Sequence, residues 1–273
     1  MSELSEGRLR VRKTHKLYVG GAFPRSESGR SYPVTSASGE LLAHAAQASR
    51  KDVRDAVVAA RKAFTGWSGA TAYNRGQVLY RVAELLDGRR DQFIAEVGAA
   101  EGGHAADAAA QVDAAIDRWV YYAGWADKYA QVAGGTNPVA GPYFNFSLPE
   151  PTGVVAVIAP QDSSLLGLAS VLAPVLATGN TAVVLASQAR PLPAVSLTEV
   201  LATSDVPAGV VNLLTGVTAE LAPWLAGHRD VNAIDLTGVD AAERCPLAEA
   251  AAENVKRVYV PRSLERSADP GTS

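Results

Sequence analysis

The residues best placed for chemistry form a polar turn, Pro160-Gln161-Asp162-Ser163-Ser164, that follows an apolar segment. An ionised carboxylate such as Asp162 accepts hydrogen bonds but cannot donate them, so it would repel a negative oxygen that develops during a reaction. Asp162, Ser163 and Ser164 are also residue types that favour a helix N-cap. We favour this capping role, and we expect any chemistry that the turn supports to lie between residues 160 and 164.

The turn belongs to a strand–helix–strand unit. Val154–Ile158 and Thr181–Leu185 are apolar, β-branched runs, which are typical of strands buried on both faces of a parallel sheet. Between them, Leu165–Leu176 is apolar at helical spacing and ends at Gly179-Asn180, which predicts a C-cap. A crossover of this kind is right-handed, and its first turn faces the carboxyl end of the sheet, where doubly wound folds bind ligands.

Alternating helix and strand patterns follow this unit and extend the predicted sheet. They predict three helices and three strands, with helices at 194–203, 219–225 and 241–253 and strands at 210–214, 231–236 and 255–260. Together with the two strands above, these elements predict an α/β fold with a five-stranded, doubly wound (Rossmann-like) parallel sheet.

The first half of the chain is predicted to form a helical layer. After two short strands, Ser49 and Asp52 make a capping-box-like start to a helix, and further helices are expected at 74–89 and 105–131. Residues 142–149 alternate polar and apolar side chains between two prolines. This pattern indicates an edge strand in a hairpin that projects from the main body.

Composition argues against several classes of function. The 273 residues carry a net charge of −3, which argues against a nucleic-acid-binding surface. One basic cluster, formed by Arg8, Arg10, Arg12, Lys13 and Lys16, is interpreted as a solvated terminus. No apolar run reaches the roughly 20 residues that a membrane helix needs, and the first residues lack a signal-peptide core. We therefore expect a cytoplasmic protein without membrane contact.

The cysteine and histidine content predicts no metal site. Cys245 is the single cysteine, which excludes intramolecular disulfides and any multi-cysteine metal site. The four histidines are far apart, and none has a second histidine or cysteine at ligand spacing. Because no histidine lies near Cys245 in sequence, we interpret it as a small, partly buried thiol rather than a reactive one.

Several longer stretches resemble the aldehyde dehydrogenase superfamily, specifically its amino-terminal, NAD(P)-binding half. They run in the family's order between about Leu17 and Val260 and include Val19–Phe23, Tyr121–Lys128, Glu150–Pro160, Thr178–Asn180, Pro207–Asn212 and Leu236–Gly238. A single glycine motif would be too weak to support this resemblance. It implies a cofactor-binding domain over residues 17–262, and we expect a flexible arm at 1–16 and a disordered tail at 263–273.

The resemblance also implies an assembly element and a separate catalytic domain. In the family the hairpin serves oligomerisation, and here it would lie at about 140–150, around Tyr143–Phe146. The family's nucleophilic cysteine belongs to a catalytic domain that follows the fifth strand, and this chain is expected to stop near that junction. We therefore expect a chain without the family's nucleophile.

The family's other catalytic groups are altered at the matching positions. Where the family has an asparagine that donates to the oxyanion, this chain has Asp162. Where the family has its glutamate base, this chain has Pro261, which cannot exchange a proton. No catalytic residue is therefore expected.

The cofactor contacts implied by the resemblance are expected to survive only as remnants. The family's lysine and glutamate that bind the adenosine ribose and phosphates are missing from Ala186–Ala189, and the turns at Gly216 and Gly238 keep one glycine each. Losing several charge-assisted contacts, at about 1.5–3 kcal/mol each, would weaken binding by orders of magnitude. Neither NAD nor NADP is expected to bind tightly, and a different small anion is an alternative. The remnant positions are Ala159, Pro160, Gln161, Ala186, Gly216, Thr237, Gly238 and Val239.

Two hypotheses for function follow. The first is a non-catalytic subunit that assembles with a full-length NAD(P)-dependent aldehyde dehydrogenase, or with itself through the 142–149 hairpin, and stabilises or regulates it, because open strand edges and apolar surface need a cover. The second is an oxidoreductase subunit that takes part in aldehyde oxidation with residual NAD(P) binding, its cysteine supplied by a partner. A decaying gene fragment is a third reading, and the intact strand and helix patterning up to Val260 makes it less attractive.

Overall fold

The computed structural model describes residues 12–261, which form a five-stranded parallel sheet with helices on both faces, a small amino-terminal sheet and a short hairpin. The strands are β1 (Thr14–His15), β2 (Ser31–Thr35), β3 (Leu41–Ala46), β4 (Gly135–Thr136), β5 (Phe146–Ser147), β6 (Val154–Ile158), β7 (Thr181–Leu185), β8 (Val211–Leu214), β9 (Ala233–Asp235) and β10 (Arg257–Tyr259). The helices are α1 (Arg50–Gly69), α2 (Ala72–Asp87), α3 (Arg90–Glu101), α4 (Ala105–Trp125), α5 (Tyr129–Ala133), α6 (Leu166–Ala177), α7 (Leu192–Thr203), α8 (Thr218–Gly227) and α9 (Ala241–Ala252).

The predicted terminal segments are described only in part. Residues 1–11 and 262–273 lie outside the described residues, so the flexible arm and the disordered tail stay predictions there. Strand β1 lies inside the predicted arm of residues 1–16 and pairs in parallel with β3, so the described part of that arm contains regular structure.

The predicted α/β fold is confirmed by the central sheet. Its strands lie in the order β10-β9-β6-β7-β8, all in parallel. Strand β6 is central, and the chain winds outward from it in both directions, as in a doubly wound fold. The carboxyl ends of all five strands therefore meet at one edge, and the loops that follow β6, β7, β8 and β9 share that edge.

The two central strands alternate their side chains between two hydrophobic clusters. On β6, Val155 and Val157 join the cluster that includes α2, α4, α6 and α7. Val154, Ala156 and Ile158 join the cluster that includes α1 and α8 on the other face. Every residue of β6 and of β7 is buried, which explains why both read as continuous apolar runs.

The predicted strand bounds are more accurate for the strands that are fully buried than for those near the edge of the sheet. Strands β6 and β7 have the predicted bounds, whereas the strands predicted at 231–236 and 255–260 are shorter, at Ala233–Asp235 and Arg257–Tyr259. Strand β10 lies at the edge of the sheet and pairs with β9 alone. Val255 begins the predicted strand but lies in a turn, with φ of 56° and 91% of its surface exposed.

The capping box predicted for the first long helix is confirmed. Asp52 N donates to Ser49 Oγ at 3.4 Å, and Ser49 N donates to Asp52 Oδ2 at 2.7 Å. Helix α2 starts two residues before its predicted start at residue 74, because Thr71 accepts a hydrogen bond from Asn74 N through its hydroxyl at 3.2 Å.

The helical layer contains an element that the sequence reading did not anticipate. Helix α3 buries Phe93, Val97 and Ala100 along one face, at spacings of four and three residues. The helix predicted at 105–131 ends at Trp125, and a separate short helix, α5, follows it. Across residues 12–261, no helix combines the length and apolarity needed to cross a membrane.

A hairpin is present, but it begins at Gly135 and ends at Ser147 rather than spanning about 140–150, and its second strand is shorter than predicted. Strand β4 pairs antiparallel with β5, and β5 occupies only Phe146–Ser147 of the predicted 142–149 strand. Tyr143 and Phe144 lie between the two strands and are 76% and 81% exposed. The hairpin therefore presents aromatic side chains to the solvent.

Candidate functional site at the carboxyl edge of the sheet

The first residue after each central strand continues the sheet pairing. Ala159 N donates to Leu185 O at 3.0 Å, and Ala186 N donates to Leu214 O at 3.0 Å. Both alanine side chains are buried, so at these two predicted remnant positions the residues extend the core. Pro160 and Gln161 follow and are partly exposed at the edge.

A hydrogen-bond network joins the loops that follow β6, β7 and β8. The Gln161 side chain donates to Ala159 O at 2.7 Å through Nε2 and accepts from Gln188 N at 2.9 Å through Oε1. The Gln188 side chain then accepts from Thr218 N, the first amide of α8, at 3.1 Å through Oε1. Ser187 Oγ donates to Gln161 O at 3.0 Å. At the predicted remnant residue Gln161, both the nitrogen and the oxygen of the side-chain amide are thus bonded to the protein's own backbone.

Gln188 occupies the helix terminus that an anionic ligand would use. The free amides at a helix amino terminus carry partial positive charge and attract phosphates and carboxylates. Here the first of them is bonded to a neutral amide oxygen from the same chain, and Glu220 adds negative charge in the first turn of α8. The sequence reading recorded Gln188 only as part of a segment that had lost charge, because its contact with Thr218 depends on how three loops pack.

The capping role predicted for Asp162 is wrong. Helix α6 begins after Leu165, and it is Ser163 Oγ that accepts the hydrogen bond from Gly167 N, at 2.9 Å. The Asp162 side chain is exposed and has no hydrogen-bond partner within residues 12–261, although its carbonyl accepts from the Arg190 guanidinium. Asp162 therefore places an unpaired carboxylate at the start of the turn.

Ser164 binds a carboxylate from the helical layer. Its backbone N and its Oγ both donate to Glu101 Oε1, each at 2.6 Å. Gln111 Nε2 donates to the other oxygen, Oε2, at 2.8 Å. Glu101 therefore holds the end of the turn, a role that could not be inferred from sequence because Glu101 lies 63 residues earlier.

Both predicted cofactor glycines have structural explanations. A Cβ at Gly238 would lie 1.9 Å from Ala159 O, so only glycine allows the loops after β9 and β6 to come this close. Gly238 N also donates to Ile158 O at 2.9 Å. Gly216 has a φ of +153°, and a Cβ there would lie 3.0 Å from Leu221 Cδ1. The loop packing alone therefore accounts for both glycines.

Thr237 and Pro261 face a different cavity from the other predicted residues. This cavity has a volume of about 700 Å³ and lies over β9 and β10, on the face that α6 covers only in part. Thr237 donates to Asp235 Oδ1 through its backbone N at 2.8 Å and through its hydroxyl at 2.5 Å. Asp235 lines the cavity while being only 8% exposed, and this burial raises the pKa of its carboxyl against the opposing effect of the Thr237 hydrogen bonds.

Asp235 was missed by the sequence reading, although one feature could have identified it. A charged residue inside an apolar strand pattern is unusual, because burying a carboxylate is costly without a partner. The predicted base position, Pro261, lines the same cavity and contributes no group that exchanges protons.

The predicted remnant residue Val239 lines a small apolar cleft between α8 and α9. The cleft has a volume of about 230 Å³, and Ala222, Pro223, Pro246 and Leu247 form much of its wall. It lies next to the edge where the loops meet, because Thr218 lines it as well. Its size and lining suit a flat apolar group rather than an anion.

Cys245 is exposed, so the expectation of a partly buried thiol is wrong. It lies on α9, where its Sγ donates to Glu249 Oε1 at 3.5 Å. This hydrogen bond and the negative charge of Glu249 raise the pKa of the thiol. Because the thiolate is the nucleophilic form, the surroundings of Cys245 disfavour nucleophilic attack.

These residues do not fit the pyrophosphate of NAD(P). A pyrophosphate needs cations or free amides, but α8 has its first amide bonded to Gln188 and the turn carries the unpaired carboxylate of Asp162. Two arginines at this edge are already bonded to the chain, since the Arg190 guanidinium donates to Asp162 O and Arg244 Nε donates to Val239 O at 2.8 Å. Among the described residues no group of three or more His, Cys, Asp or Glu side chains could hold a metal ion.

Comparison with known proteins identifies the family. Residues 23–261 match the model of the aldehyde dehydrogenase family. The chain is 32% identical over 265 residues to cytosolic 10-formyltetrahydrofolate dehydrogenase of Pongo abelii, covering 94% of this chain and 29% of that protein. It is 34% identical over 252 residues to retinal dehydrogenase 2 of Homo sapiens, covering 90% of this chain and 48% of that protein.

Solved structures agree with this assignment. The structure resembles the NAD+ complex of aldehyde dehydrogenase from Bacillus cereus with a TM-score of 0.85 and 27% identity, covering 90% of this chain and 50% of that chain. The chain thus spans half or less of the length of these relatives. Because the family match extends over most of the chain and the observed sheet agrees with it, the chain belongs to the aldehyde dehydrogenase family.

Proposed function

We propose that this chain is a non-catalytic member of the aldehyde dehydrogenase family with a role in assembly. Its partner is a full-length NAD(P)-dependent aldehyde dehydrogenase subunit of the cytoplasm, or a second copy of the chain, which it stabilises or regulates. In this proposal the chain neither oxidises an aldehyde by itself nor binds NAD or NADP tightly.

The internal hydrogen-bond network at the carboxyl edge is the observation that carries the proposal. Gln161 and Gln188 bond three backbone groups of these loops, namely Ala159 O, Gln188 N and the first amide of α8. Asp162 offers only acceptor atoms at the turn, and Pro261 offers no proton. Loops that bond to one another in this way support a structural role for the edge better than a catalytic one.

Two uncovered surfaces support assembly. The cavity over β9 and β10 has apolar walls, and Tyr259 beside it is 60% exposed. On the hairpin, Phe144 and Phe146 pack against each other with ring centroids 5.2 Å apart while remaining 81% and 51% exposed. Contiguous apolar surface of this kind commonly marks a site of protein association.

Size-exclusion chromatography with light scattering tests the assembly role. We expect the chain to self-associate or to bind a full-length aldehyde dehydrogenase from the same source. The double variant Phe144→Ser/Phe146→Ser should weaken this association about tenfold or more, because buried aromatic anchors dominate interfaces. Since both rings are exposed, the unfolding free energy should change by less than about 0.5 kcal/mol. Tyr80→Ser, which removes an aromatic ring that is 48% exposed on α2, is the matched control.

Two results would contradict the proposal. One is a monomer at all concentrations that shows no affinity for a full-length relative. The other is aldehyde turnover by the isolated chain, because it would require a nucleophile and a base that we assign to no residue of this chain.

The alternative is an oxidoreductase subunit that retains NAD(P) binding while a partner supplies the cysteine. The cleft between α8 and α9 favours it, because a slot of about 230 Å³ with alanine, valine, proline and leucine walls can hold an aromatic base. Calorimetric titration with NAD and with NADP separates the two functions. Micromolar binding supports the alternative, and binding weaker than millimolar supports the assembly role.

A further inference from the structure

A third concave site lies beside the small amino-terminal sheet, on a different surface from the two cavities described above. It is a cavity of about 320 Å³ between β1, β2 and the loop that precedes β2. Lys16, Arg25 and Arg30 all line it, together with His15 and Ser31. The volume is at the lower end of the range of about 300–1,000 Å³ that is typical of small-molecule sites.

The three cations of this cavity have few acidic partners in the part of the chain that the structure describes. Within residues 12–261, Lys16 and Arg25 have no ion pair and no side-chain hydrogen bond. Arg30 contacts Glu220 at 3.6 Å, but both side chains are about half exposed, so this pair is weak. The cavity therefore concentrates positive charge on a chain whose net charge is −3.

His15 lines the cavity without adding a fourth charge. Burial and the neighbouring charge of Lys13 lower the pKa of His15, so its ring is neutral at physiological pH. Its Nδ1 is buried and has no hydrogen-bond partner among the described residues.

The loop that carries Arg25 and Arg30 is fixed by buried hydrogen bonds. Ser26 Oγ donates to Asp52 Oδ2 at 2.7 Å, and Glu27 N donates to Asp52 Oδ1 at 3.2 Å. Asp52 is 7% exposed and is held by the capping box of α1. Gln47 N donates to Arg30 O at 2.9 Å and closes the loop against β3. Two of the three cations therefore project from a backbone that is already in place, which lowers the cost of binding.

We propose that this cavity binds a small molecule that carries a diphosphate group. Two guanidinium groups can each bind phosphate oxygens through paired hydrogen bonds, and the ammonium of Lys16 adds a point charge. Three cations call for more negative charge than one carboxylate or one monoester provides. Ser31 supplies a further polar contact beside the charged groups.

Inorganic pyrophosphate is the probe, and calorimetry of the full chain is the measurement. We expect binding that is tighter than millimolar at low ionic strength, stronger than for inorganic phosphate, and weakened by added salt. Arg25→Glu and Lys16→Glu should each weaken binding about tenfold or more, and Arg25→Lys should weaken it less, because lysine keeps the charge but loses the paired hydrogen bonds.

Arg54→Glu is the matched control, because it makes the same change of net charge at an exposed arginine of α1 that pairs with Asp55. It should change pyrophosphate binding less than about twofold. Equal losses in Arg25→Glu and Arg54→Glu would mean non-specific attraction and would overturn the proposal. Binding that survives in the double variant Lys16→Glu/Arg25→Glu would place the anion elsewhere, and absent binding would also overturn it. Circular dichroism of each variant confirms that the fold is retained.

Discussion

Within the central sheet, strands β6 and β7 are covered by helices more fully than strands β9 and β10. All five residues of β6 and all five of β7 are buried between helices. On the other side, β10 is an edge strand with exposed or half-buried residues, and β9 directs Asp235 towards an open cavity. The apolar pattern alone is enough to define the covered strands, whereas the outer strands also depend on whatever packs against them.

The largest expected effect on stability comes from making the same valine-to-alanine substitution in β7 and, for comparison, in β10. Val184→Ala in β7 removes two buried methyl groups from a side chain with no exposed surface and should cost about 2–3 kcal/mol of unfolding free energy. Val258→Ala in β10 should cost less than about 1 kcal/mol, because that side chain is already half-buried. Urea denaturation measures both. Equal losses would show that the outer strands are as tightly packed as the central ones.

A smaller effect tests the turn inside the covered unit. Ser163→Ala removes the hydrogen bond to Gly167 N and should destabilise the protein by about 1 kcal/mol. Asp162→Ala should change stability by less than about 0.5 kcal/mol, because its side chain is exposed and unpartnered among the described residues. Thermal and urea unfolding of both variants measures these losses. A larger loss in Asp162→Ala than in Ser163→Ala would contradict the capping role of Ser163.

The smallest expected effect is a pH dependence of the unfolding free energy that arises from Asp235 in β9. Burial raises the pKa of Asp235 above its unfolded value, so the native state holds a proton that the unfolded state has lost between the two values. Stability therefore falls as pH rises through that interval, just above the ordinary range of an aspartate. Asp235→Asn keeps an acceptor for Thr237 and should remove this slope, so the variant gains stability relative to wild type as pH rises.

Urea denaturation of both proteins across mildly acidic pH measures this difference. Parallel stability curves for wild type and Asp235→Asn would show that Asp235 is effectively solvated. A partner that covers the cavity should make the dependence steeper, since it would bury the carboxylate further. The measurement thus also reports on coverage of this face.

The sequence predicted those parts of the fold that local pattern determines. The bounds of β6 and β7 and the capping box of Ser49 and Asp52 were correct, since each depends on neighbouring residues in the chain. Helix α3 and the break after Trp125 were missed, because a weakly patterned segment can form a helix wherever the surrounding helices bury one face.

The candidate site was less predictable because it is made of long-range contacts. The cap on α8 comes from Gln188, which is 30 residues earlier in the chain, and the end of the turn is held by Glu101. Lys16 was interpreted as part of a solvated terminus, yet the fold places it beside Arg25 and Arg30. No spacing rule joins such residues, because the path of the backbone determines which of them meet.

The link between Gln188 and α8 also constrains how this chain could evolve. A lysine at Ala186 would have to reach the edge from a position with no exposed surface, and the first amide of the helix would stay bonded to Gln188. Removing the Gln188 side chain alone would forfeit a hydrogen bond worth about 0.5–1.5 kcal/mol with nothing to replace it. Neither change alone gives both a cation and a free helix amide, so a phosphate-binding edge would require the two substitutions together.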